Sequence, residues 1–189
     1  MRIVWKILGT IVAADILYYF YLQNNEVGSR LTYSKIASDL GLDNDAHEPL
    51  VKKRLVWLSQ IERSMVALIR RHTQDVVLTS GYRGAALATE INKTRSYRWS
   101  ENRRSRHGMG LSVDYWVGAA PDAPYRAVEF LMHHRAAIPQ RGLLKSIIAE
   151  RSHVHIEYRC PFTVSDRSDD DPKFLYESPP PAGTLISMR

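Results

Sequence analysis

Residues 111–117 read LSVDYWV, a strand pattern with a carboxylate at its centre. Val113, Tyr115 and Trp116 around Asp114 favour a pleated and largely buried segment. An ionised carboxylate is costly to bury there unless something pairs with it. The chain therefore has to fold so that a cationic partner meets Asp114. A nearby arginine would serve, and so would a metal ion.

The histidines bear on that choice. His107 precedes the strand across Gly108-Met109-Gly110, whose glycines let the backbone turn tightly. His153 and His155 form His-x-His in SHVHIEYR (152–159), which reads as another strand. Alternation puts His153, His155 and Glu157 on one face, with Val154 and Ile156 turned to the core. His47, His72, His133 and His134 read as structural or solvated. Cys160 is the only cysteine, which excludes an intramolecular disulfide and a cysteine-rich zinc knuckle. Any metal would take histidine and carboxylate ligands. His107, Asp114 and one histidine of the His-x-His pair could converge from separate strands. Three protein ligands with an open fourth position describe a catalytic zinc site rather than a closed structural one.

The rest of the chain supplies a frame for one domain. Leu50, Leu55, Leu58, Ile61, Met65, Leu68 and Ile69 recur at helical spacing, which predicts a long helix whose stripe is core, with Pro49 in its first turn. A shorter helix is expected over Thr32–Leu40, closed by Gly41, with the polar run QNNEVGSR as a break before it. Strands are expected over Asp75–Ser80 and in LLKSII (143–148), and helices over 84–93 and Ala123–Ala137. The segment from Lys93 to Arg106 has no periodicity and six basic residues, so it reads as a loop. Helices first and strands interleaved later predict an α+β fold with a small, mainly antiparallel sheet flanked by helices. The boundaries drawn are 1–23 for an apolar N-terminal segment, 30–160 for the domain, and 161–189 for an extended or disordered tail. That tail holds SDRSDDDPK and SPPPAG, which cannot build a core.

Residues 3–22 leave two readings open. Their length permits a membrane span, but Lys6 and Asp15 make insertion marginal. An export or membrane anchor, and hence membrane association, stands beside a helix buried against the domain or a partner.

Three motifs together resemble one family. SGYRG (Ser80–Gly84), SRHGMGLSVD (Ser105–Asp114) and SHVHIEY (Ser152–Tyr158) resemble, in order and spacing, those of the zinc D-Ala-D-Ala carboxypeptidases. That family is similar to the lysostaphin-like peptidases and the hedgehog signalling domain. The resemblance covers about Thr32–Arg159, with Ser112 in place of the usual small alanine. It implies a sheet carrying Zn2+, with His107, Asp114 and His155 as ligands. It also implies His153 as base or transition-state donor and Arg83 as the grip on a substrate carboxylate or carbonyl oxygen. Members with Glu-x-x-His would instead make Glu150 the base and His153 the ligand. Tyr82 reads as packing.

The function so implied is hydrolysis of an amide bond in peptidoglycan stem peptides, by an endolysin-like or wall-remodelling metallopeptidase. A periplasmic or cell-envelope site, or a phage-encoded enzyme, would suit that substrate. A net charge of +6 favours anionic partners without choosing among them. A non-catalytic zinc-stabilised binding or virion-structural module of the same fold is the alternative. No nucleic-acid-binding module is recognisable, so no specific nucleic-acid partner is expected.

Overall fold

The structure, a computed structural model, describes residues 27–93, 105–163 and 171–177, together with Pro179 and Pro181. The apolar segment 3–22 and most of the basic loop, 94–104, lie outside the described residues. Among the described residues, no helix is long and apolar enough to cross a membrane.

Two short helices, α1 (Val27–Thr32) and α2 (Lys35–Asp39), come first. The polar run expected as a break thus contributes to α1, and the single short helix is two. The long helix α3 spans Pro49–Ile69, with proline in its first turn, where a missing N–H costs nothing. Its stripe is core as expected, except at the start: Leu50 is exposed and Val51 is buried in its place. Then follow β1 (Val77–Ser80), α4 (Ala85–Lys93), β2 (Ser112–Trp116) and α5 (Ala123–His133). The expected helix to Ala137 ends early, because Arg135–Ala137 tightens into a separate 3-10 turn ahead of Pro139. β3 (Leu144–Ala149) and β4 (Val154–Tyr158) form a hairpin, and β5 (Lys173–Tyr176) closes the series.

These elements make an α+β fold with a five-stranded mixed sheet in the order β1-β2-β4-β3-β5. The β1–β2, β2–β4 and β3–β4 pairs are antiparallel, and β3–β5 is parallel. β5 lies within the tail read as extended or disordered, and there the chain is an extended strand of the sheet. Lys173-Phe174-Leu175-Tyr176 sits between an acidic and a proline-rich run and pairs with β3, placing Phe174 and Tyr176 against the core. Tyr176 lies 5.7 Å from Tyr125 of α5, ring centre to ring centre.

Register sorts the two faces of the sheet. Val113 pairs with Ile156, which pairs with Ile147; Tyr115 pairs with Val154, which pairs with Ala149. These rows join the buried side chains of α3 and α5 in one apolar cluster. The opposite face carries the rows Ser112–Glu157–Ser146 and Asp114–His155–Ile148. Alternation at a period of two thus gives one face to the core and the other to polar groups.

Candidate metal centre

Asp114 and His155 are direct cross-strand partners in β2 and β4. Side chains so paired have Cβ atoms about 5 Å apart, close enough for a carboxylate and an imidazole to touch. His107 reaches them from the turn before β2, where Gly110 adopts φ +67° and its N–H bonds the His107 carbonyl. A side chain at Gly110 would also press on Leu55 of α3. All three groups are buried, at 4% exposure for His107, 2% for Asp114 and 9% for His155.

Their donor atoms converge. His155 Nδ1 lies 2.6 Å from Asp114 Oδ1, His107 Nε2 lies 3.3 Å from the same oxygen, and the two ring nitrogens are 3.3 Å apart. One donor atom from each residue falls within 4.8 Å of the others, so the three can hold a metal ion. Donors about 2.0–2.1 Å from a tetrahedral ion sit about 3.3 Å apart, which two of the separations match. The third, between His155 Nδ1 and Asp114 Oδ1, is the shorter distance of a hydrogen bond.

Each of these three side chains is oriented by a partner behind it. His107 Nδ1–H donates to the Gly81 carbonyl at 2.5 Å, leaving Nε2 as the lone pair facing the site. His155 Nε2 lies 3.4 Å from Glu157 Oε1, and Glu157 in turn accepts from Lys145 at 2.9 Å and Ser146 at 3.1 Å. Asp114 Oδ2 accepts from the Arg83 guanidinium, whose Nε–H donates to Ser80 Oγ at 2.9 Å. Asp114 thus meets an arginine, one of the two partners considered for it, on one oxygen and the two histidine rings that could share a metal ion with it on the other.

Charges follow the geometry. Burial works against the Asp114 carboxylate, yet His107 and His155 hold its pKa well below the usual range. Burial alone would lower His155, but hydrogen bonds to Asp114 and Glu157 lift it to about 9. His107, where burial outweighs Asp114, is lowered. Burial would raise Glu157, and His155 and Lys145 instead bring it down to about 2.

His153 lies one residue ahead of β4, in the β3–β4 turn, where its carbonyl accepts from the Glu150 N–H. Its ring still borders the site, with Nε2 at 3.0 Å from Glu150 Oε2 and 3.8 Å from Asp114 Oδ2. Burial pulls the His153 pKa down, and Glu150 and Asp114 overcome it to give a net rise. Tyr82 is half-buried against the core, as packing requires.

Three contributors carried no assigned role in the sequence reading. Glu157 was visible by alternation with His155. Gly81 acts through its carbonyl, which no side-chain pattern reveals. Asn44, buried in the loop before α3, donates to the carbonyls of Thr32 and Tyr82 and accepts from the Gly84 N–H at 2.7 Å. It braces the turn that carries Arg83. Comparison with family models, curated proteins and solved structures gives no match to this chain.

Proposed function

We propose that the chain is a zinc-dependent peptidase that hydrolyses an amide bond in peptidoglycan stem peptides. The observation that carries this reading is the buried cluster of His107, Asp114 and His155, flanked by the His153–Glu150 pair. Two imidazole nitrogens and one carboxylate oxygen suit zinc and leave a position for substrate chemistry. Zinc held there supplies water activation at neutral pH and polarises the scissile carbonyl.

The remaining work falls to the protein. His153 Nε2, partly exposed beside Asp114, would take a proton and return it to the leaving amine. Glu150 holds that ring and stabilises its charged form. The substrate class rests on the SGYR, His-x6-Asp and His-x-His motifs, whose residues meet at this one site. Membrane association through residues 3–22 would keep such an enzyme near the wall.

Mass spectrometry of fragments released from defined peptidoglycan, with and without a chelator, tests reaction, bond and metal together. Chelator-sensitive release of new amine and carboxyl ends is expected. Zinc uptake with no fragments from several wall types would overturn the enzymatic reading in favour of a non-catalytic zinc-stabilised module.

A further inference from the structure

The turn Ser80-Gly81-Tyr82-Arg83 supplies the partners behind two of the three candidate ligands at once. The Gly81 carbonyl fixes the His107 ring, and the Arg83 guanidinium, anchored on Ser80 Oγ, holds Asp114 Oδ2. The turn is itself held in place: the Tyr82 N–H donates to the Leu31 carbonyl at 2.6 Å, and Asn44 bonds both Tyr82 and Gly84. Gly81 packs so closely on α1 that an added Cβ would collide with the Leu31 carbonyl oxygen.

We infer that Arg83 is a positioning residue, which holds Asp114 so that one oxygen alone, Oδ1, faces the metal. A carboxylate with both oxygens free can grip an ion through both and fill the position needed for substrate. With Oδ2 engaged by a guanidinium, Oδ1 alone points at His107 Nε2 and His155 Nδ1. Arg83 has 14% of its side chain exposed, and its fork reaches inward to Asp114 and Ser80. It thus acts through Asp114 instead of gripping a substrate carboxylate. This inference rests on the metal-centre reading above.

The test is metal binding by the full chain, independent of turnover. Zinc affinity is measured by competition with a chromophoric chelator for wild type, Arg83→Gln, Arg83→Lys and Ser80→Ala. The visible spectrum of the Co2+-loaded forms reports coordination number. Arg83→Gln is expected to bind zinc about 10- to 100-fold more weakly. Its cobalt bands should lose intensity as Oδ2 joins the ion, and Arg83→Lys should recover part of the loss. Zinc affinity within about twofold of wild type, with an unchanged cobalt spectrum, overturns the inference. Should Arg83→Gln show no cooperative thermal unfolding, Ser80→Ala decides: a loss of several-fold supports the inference, and an unchanged affinity overturns it. Failure of the metal reading itself is seen separately, as no zinc uptake by wild type.

Discussion

Asp114 Oδ1 and His155 Nδ1 meet at 2.6 Å across the β2–β4 ladder, with Arg83 on the other carboxylate oxygen. The ion pair and the group that could hold a metal ion thus share one carboxylate. Asp114→Asn should abolish zinc uptake, measured by metal analysis after dialysis. In chelator-treated protein it should also cost about 3–5 kcal/mol in urea unfolding, since it removes the buried charge that Arg83 and His155 face. Retained zinc would sink the ligand assignment.

His155 carries its proton at neutral pH in the metal-free protein, with a pKa of about 9 against 6.5 for an ordinary histidine. Its folded pKa is raised, so its stabilisation is complete below about pH 6.5 and is lost as pH rises through about 9. Thermal unfolding of chelator-treated protein should show Tm falling across that window. Zinc must displace the same proton, so calorimetric binding enthalpies at pH 7 should vary with the ionisation enthalpy of the buffer. Buffer-independent enthalpies would contradict the charged state.

Glu157 stands behind His155 and is held by Lys145 and Ser146. Glu157→Gln keeps its shape while removing the charge that orients and enriches the ring. Zinc affinity should fall by about 10- to 100-fold, with the circular dichroism spectrum unchanged. An affinity equal to wild type would reduce Glu157 to a surface ion pair with Lys145.

Gly81→Ala forces a methyl against the Leu31 backbone, which cannot swing aside as a side chain could. The expected loss is about 1–3 kcal/mol in urea unfolding. Gly142, with nothing within 4 Å of an added Cβ, is the control, and Gly142→Ala should stay within about 0.5 kcal/mol. Equal effects at the two positions would contradict the close approach of the turn to α1.

The site was legible where it obeys strand alternation or tight local turns. Asp114 and His155 both sit on the non-core face of strands whose apolar members are adjacent in sequence. His107 needed only the glycine-rich turn between it and β2. His153 borders the same site from one residue ahead of β4, where the Glu150 N–H bonds its carbonyl across the β3–β4 turn. Asn44 and the Gly81 carbonyl escaped because a loop amide and a backbone oxygen have no periodicity. β5 escaped for a different reason: its partner, β3, is distant in sequence, and its flanking segments lack the composition of a core.

The placement of β5 also bears on how the molecule is made. β3 lies inside the sheet only because Lys173–Tyr176 pairs along its outer edge. While a ribosome has delivered the hairpin but not that strand, β3 presents open backbone donors and acceptors to any extended chain nearby. The sheet is therefore complete only once β5 has followed the hairpin, and until then the nascent hairpin is exposed to wrong partners.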